Sequence, residues 1–159
     1  MNKIYLLLGS NMGNSTKQLA KAITHIEKQI GPVRRQSGLY VTAPWGNTNQ
    51  PDFLNQVIIV ETTLSAAQTM QTILNIEKIM GRIRTIKNAP RVIDIDILFF
   101  NKEIIDQEHL CIPHPQIQNR RFVLVPLNQL SPNLKHPVLN KTVHQLLINC
   151  TDTLNVKKF

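Results

Sequence analysis

Cysteine is scarce: only Cys111 and Cys150 occur in 159 residues, without CxxC or metal-ligand spacing. That excludes a disulfide scaffold and a thiolate metal centre and leaves two reduced structural thiols. Long apolar runs are absent too. The longest early one, "IYLLL" from Ile4 to Leu8, is too short for a signal-peptide core or a transmembrane helix. A cytoplasmic protein with no membrane partner is therefore expected. No internal repeat, low-complexity segment or long linker interrupts the chain, and its length suits one domain spanning residues 1–159. Acidic residues are outnumbered, 10 Asp and Glu against 18 Lys and Arg, for a net charge of +8. The excess suits a polyanionic partner, whether nucleic acid, acidic lipid or nucleotide phosphates, and charge alone does not choose among them. "LGSNMGN" (8–14) lacks the G-x-x-x-x-G-K-[ST] arrangement and so offers no Walker lysine. Its glycines are expected to make a tight turn into the first helix.

What is present reads as an α+β chain. "KIYLLL" (3–8) is a buried strand. Leu19, Ile23, Ile26 and Ile30 at helical spacing follow an Asn14 or Ser15 cap, and Gly31-Pro32 stops the helix. Residues 33–41 read as a strand, 42–52 as a turn-rich loop, and 53–64 as a long strand with a β-branched centre. A second helix starts at Ser65, where Gln68 completes a capping box, and Gly81 ends it. Residues 82–90 form a loop before the strand "VIDIDILFF" (92–100). The order strand–helix–strand–strand–helix–strand describes a ferredoxin-like βαββαβ sandwich, two helices on one face of an antiparallel sheet. "RRFVLVPLNQL" and "TVHQLLINC" are accessory C-terminal elements, and Lys157 and Lys158 a solvated tail.

The chemistry concentrates around the last of these strands. Side chains alternate along a strand, so Asp94 and Asp96 share a face, ~6–7 Å apart. Two like charges in apolar surroundings are costly unless a cation stands between them. Arg91 and Lys87 are one answer, a shared Mg²⁺ another, since hard cations take carboxylate and phosphate oxygens together. Arg82, Arg84, Lys87 and Arg91 crowd just before the strand, and Arg120 and Arg121 form a second group. Arginine's planar fork matches phosphate geometry. His114, within "IPHPQIQNRRF" (112–122), either donates to a phosphate or pins its own loop. Glu77, on the border of the second helix's apolar face, pairs with Arg82 or Arg84 or bonds a ligand. Trp45, Phe53 and Asn55 suit a planar heterocycle, though a tryptophan in a proline-rich loop is often a core anchor. Two rivals remain. A metal-dependent nucleotidyltransferase or nuclease would need Glu77 as a third carboxylate. An RNA-binding sheet would need exposed aromatics, and these strands offer chiefly aliphatics with Tyr5 the lone aromatic.

Taken together these parts resemble the 6-hydroxymethyl-7,8-dihydropterin pyrophosphokinase family. "KNAPRVIDIDIL" (87–98) fits the family's metal-site signature at every position, and "YVTAPWGNTNQPDFLNQV" and "PHPQIQNRRFVLVPL" follow its order. The resemblance runs nearly end to end. It implies a monomeric transferase that uses two Mg²⁺ ions and moves diphosphate from ATP to 6-hydroxymethyl-7,8-dihydropterin, with no nucleic-acid partner. Under it, Asp94 and Asp96 are the metal ligands and Arg82 and Arg91 the mobile catalytic cations. Glu77, Arg84, His114 and Arg120 serve ATP, and Thr42, Pro44, Trp45, Phe53, Asn55 and Phe122 form the pterin pocket. Segments 43–53 and 82–90 are expected to close over the substrates. Two departures mark this chain: "TIKNAP" carries no aromatic where the family often has Trp-Gly, and Cys111 stands where a threonine is common.

Overall fold

The computed structural model describes residues 1–44, 49–82 and 90–159. In chain order the elements are β1 (Asn2–Ser10), α1 (Ser15–Gln29), β2 (Val33–Gln36), β3 (Tyr40–Thr42), β4 (Phe53–Thr62), α2 (Ala66–Ile79) and β5 (Asp94–Phe100). Then come β6 (Ile105–Gln107), β7 (Leu110–Ile112), a 3-10 turn (Ile117–Asn119), α3 (Arg121–Leu130), α4 (Val143–Ile148) and β8 (Val156–Lys158). Local signals set both long helices. Asn14 caps α1 by accepting from the Lys17 N–H, and Ser65 with Gln68 forms the reciprocal capping box of α2. Gly81, at φ 92°, supplies the left-handed residue that turns the chain out of α2.

The main sheet runs β5-β1-β4-β3-β8, with β2 also paired to β4. All its pairings are antiparallel. With β1 central and flanked by β4 and β5, this is the ferredoxin-like arrangement. The strand expected over 33–41 is two strands that follow one another along β4. Gln36 faces Ile58 and Tyr40 faces Asn55, so four steps on one side oppose three on the other. Ser37 absorbs the extra residue: its N–H donates to the Val57 carbonyl, and its hydroxyl accepts from the Val57 N–H at 3.0 Å.

Alternation in the central strands builds two cores. Ile4, Leu6 and Leu8 of β1 join Ile58, Val60, Ile95 and Ile97 beneath α1 and α2. Tyr5 and Leu7 join Val57, Ile59, Leu98 and Phe99 on the opposite face. A bulge leaves Leu98 without a facing residue on β1, because Tyr5 pairs with Phe99 and Leu6 with Ile97. Strands apolar on both faces need two covers. The accessory C-terminal segments provide the second one: Val123, Leu124, Leu127 and Leu130 of α3 and Val143 and Leu146 of α4 close that face. Lys157 and Lys158 are not a solvated tail but part of β8, paired with Val41 and Tyr40. Their side chains are exposed, as lysines on an edge strand usually are.

Candidate functional site

At one end of the second face, β5, β1 and β4 lay their side chains in rows. Gly9 faces Asp94 on one side and Asn55 on the other, while Leu7 faces Asp96. These residues line a pocket that Phe122 of α3 and Arg120, the residue just before that helix, also border. Thr42, Ala43, Gln50 and Phe53 complete the wall on the β3–β4 side, and Arg91 completes it on the β5 side. Asp94 and Asp96 thus share a face, as period-two alternation requires. Gly9 departs from its expected role as a turn residue. It lies within β1, and a Cβ there would stand 2.8 Å from Asn55 Oδ1. The missing side chain makes room for the Asn55 amide, whose Nδ2 donates to Thr42 Oγ1 at 2.9 Å. Both residues are buried. Gly13, at φ 65°, is the one that makes the turn.

The two aspartates differ in their surroundings. Asp94 accepts from Arg82 at 2.7 Å and from Arg91 at 3.1 Å. The same Arg82 Nη1 donates at 2.6 Å to Glu77 Oε2, which also accepts from the Ile95 N–H at 2.8 Å. Glu77 is buried and its helix is thereby tied to the start of β5. Burial works against the Arg82 cation, but the Asp94 and Glu77 carboxylates outweigh it and hold its pKa above the usual value. Asp96 keeps some exposed surface toward the pocket yet lies deep. Desolvation, with the charges of Asp94 and Glu77, pushes its carboxyl up to about 7, against the pull of Arg120 and Arg82. A carboxylate pair with one member so disfavoured as an anion is a place where an added cation is stabilised.

Arg91 also lies over the Phe53 ring, and Arg120 over the Phe122 ring, each 5.7 Å from the centroid. Burial lowers the pKa of Arg120, and guanidinium stays charged at neutral pH all the same. His114 follows a cis Ile112–Pro113 bond. Its Nδ1 accepts the Gln116 N–H at 3.1 Å, and its backbone N–H donates to the Leu98 carbonyl at 3.0 Å. It therefore pins its loop, and with Nδ1 accepting, the proton of the neutral ring sits on Nε2. Burial, followed by the neighbouring Arg120 charge, lowers it to about 4, so the ring is neutral at physiological pH.

Of the residues expected to form the site, Thr42, Phe53, Asn55, Arg91, Asp94, Asp96, Arg120 and Phe122 converge on the pocket. Arg82 and Glu77 stand behind Asp94. Pro44 is buried outside the wall, where its neighbour Ala43 lines the cavity. Trp45, Arg84 and Lys87 lie outside the described residues. Gln50, Leu7 and Gly9 are additions to the wall that no local pattern in the sequence marked as site residues. Among the described residues, no helix is long and apolar enough to cross a membrane.

Comparison with known proteins agrees with this geometry. The family model described as 7,8-dihydro-6-hydroxymethylpterin-pyrophosphokinase matches residues 5–132. A 2-amino-4-hydroxy-6-hydroxymethyldihydropteridine pyrophosphokinase of Methylorubrum extorquens is 40% identical over 135 residues, covering 84% of this chain and 85% of that protein. Its counterpart in Aquifex aeolicus is 37% identical over 145 residues, 91% and 90% of the two chains. The folic acid synthesis protein FOL1 of Dictyostelium discoideum is 37% identical over 98% of this chain, which spans only 23% of that longer protein. The crystal structure of Plasmodium falciparum HPPK-DHPS with SDX-DHP superposes with a TM-score of 0.76 at 21% identity. The match covers 93% of this chain and 43% of that one, and it bears on the fold alone. A matched stretch that includes every described site residue, with relatives of similar length at such identity, leads to one conclusion: the chain belongs to the 7,8-dihydro-6-hydroxymethylpterin-pyrophosphokinase family.

Proposed function

We propose that this chain transfers the β,γ-diphosphate of ATP to the hydroxymethyl oxygen of 6-hydroxymethyl-7,8-dihydropterin, a step of folate biosynthesis in the cytoplasm. The observation that carries this reading is the meeting, in one pocket, of two same-face carboxylates, two arginines and an aromatic-and-amide wall. In the reaction the substrate hydroxyl attacks the β-phosphorus. The bond from β-phosphorus to the α,β-bridging oxygen breaks, AMP leaves with that oxygen, and the hydroxyl proton passes to solvent.

Each group has a task in that step. Phe53 and Phe122 offer flat faces for the pterin. Asn55, its amide oriented by Thr42, presents both donor and acceptor to the ring's amide edge. Arg91 and Arg120, with Arg82 behind Asp94, offset charge that accumulates on the phosphates. His114 offers a neutral N–H donor rather than a charge. Asp94 and Asp96 would hold two Mg²⁺ ions, which when bound neutralise phosphate oxygens and favour in-line displacement. The carboxylate pair fits such ions, because a cation offsets both the desolvation and the neighbouring negative charges that disfavour the Asp96 anion. The rivals fare worse. Glu77, needed as a third carboxylate by a nucleotidyltransferase, is engaged by Arg82 and Ile95. The sheet is covered on both faces, so it presents no stacking platform for RNA.

The test is AMP release from ATP and Mg²⁺, with and without the pterin, for the native chain and Asp96→Ala. AMP is expected only with the pterin, and the variant should lose at least ~10²-fold in turnover. A folded native protein that releases no pterin-dependent AMP would sink the proposal.

A further inference from the structure

One polar side chain beside the pocket makes three hydrogen bonds although its residue lies outside the wall. Asn11 follows the last residue of β1 and is only 4% exposed. Its backbone N–H donates to the Arg91 carbonyl at 3.0 Å, and the Arg91 N–H donates back to Asn11 Oδ1 at 2.8 Å. Its Nδ2 donates to Gln50 Oε1 at 2.8 Å and to the Pro51 carbonyl at 3.1 Å. A carbonyl only accepts, so the Pro51 contact fixes which end of the amide carries the hydrogens. One buried carboxamide thus fastens two segments that approach the pocket from opposite sides.

Those segments carry different halves of the site. Gln50 lines the pocket and Pro51 leads into β4, which bears Phe53 and Asn55. Arg91 leads into β5, and its guanidinium holds Asp94. Truncating the Asn11 side chain would remove, at once, its bonds to the Arg91 N–H, to Gln50 Oε1 and to the Pro51 carbonyl, all on the two segments it joins. Ordering either segment through Asn11 orders the other, and the ordering cost shared by two ligands falls only once.

We propose that Asn11 is a positioning residue that couples the ring side of the pocket to the phosphate side, so that bound nucleotide tightens pterin binding. The inference rests on the function proposed above. It is tested by measuring pterin affinity with and without Mg²⁺ and α,β-methylene-ATP, which cannot be cleaved at the reacting bond. In the native protein the nucleotide should tighten pterin binding about tenfold or more, within the usual range of site-to-site coupling. In Asn11→Ala that ratio should fall to about one, while affinity for the nucleotide alone changes less than about threefold. Asn11→Asp keeps the acceptor for the Arg91 N–H but sets a carboxylate against two acceptor oxygens, and it should lose the ratio as well.

An Asn11→Ala protein that keeps the native ratio overturns the inference. So does one that loses pterin affinity equally in both conditions, since that marks a mere packing role. Should Asn11→Ala fail to fold, Gln50→Ala leaves the Asn11–Arg91 pair intact and should still cut the ratio about threefold or more. An unchanged ratio there overturns the inference equally. A native protein that shows AMP release but no nucleotide effect defeats the coupling alone, and one without AMP release defeats the function and the coupling together.

Discussion

At the scale of single residues, burial shifts the pH at which groups around the site gain or lose a proton. His114 is the clearest case. Its folded pKa of about 4 lies below the ordinary 6.5, so between those values the unfolded chain takes up a proton that the folded one refuses. The stabilisation is present above pH 6.5 and is lost as pH falls toward 4, by up to ~3 kcal/mol. Urea titrations of the native protein and His114→Asn at pH 7 and 4.5 check this: the native protein should lose the more stability. Equal losses would show that the imidazole is not held neutral. The aspartate pair was legible from the sequence because period-two alternation is local: "DIDI" needs no knowledge of the rest of the chain. Asn11 was not legible, because its partners come from positions 50, 51 and 91. An amide in "LGSNMGN" carries no mark of partners so far along the chain.

Among elements, the joint between α2 and β5 is where packing becomes chemistry. Glu77, in the last turn of α2, holds Arg82 and the Ile95 N–H, and Arg82 in turn holds Asp94. Glu77→Gln retains an acceptor but removes the buried charge that balances Arg82. The expected loss is about 1–3 kcal/mol, short of the full cost of a broken buried pair because Asp94 remains. That corresponds to a fall in Tm of roughly 3–10 °C for a chain of this size, read from a thermal melt. A variant that melts within a degree of the native protein would show the ion pair to be idle. Helices α1 and α2 were readable in advance because Asn14 and the Ser65–Gln68 box are local caps. The break between β2 and β3 was hidden, because Ser37 makes it with Val57, twenty positions away. In α3 the internal Pro126 masks a helix behind an apolar run, since proline ordinarily breaks one.

For the molecule as a whole, the sheet has become the middle of three layers, and β8 finishes its far edge. The pattern "VKK" has no alternation to announce a strand, so only the assembled fold shows that it pairs with Tyr40–Thr42. Its removal tests how far that edge supports the pocket. A chain ending at Leu154 keeps both Asp152 contacts, to the Arg121 and Leu154 N–H groups, but leaves β3 unpaired on one side. It should lose about 1–3 kcal/mol, in the range of a few backbone hydrogen bonds. The β3 amides should exchange with deuterium at least about tenfold faster, as expected of a locally weakened segment. Native-like exchange at Val41 and Thr42 would refute the support. The absent Cβ at Gly9 has a consequence of another kind, for selection under a drug. An inhibitor shaped like the flat ring would press resistance onto the pocket wall, yet position 9 offers no escape. Even a methyl there meets Asn55 Oδ1 at 2.8 Å. Any mutant that evicts the inhibitor by that route also evicts the amide proposed to read the substrate.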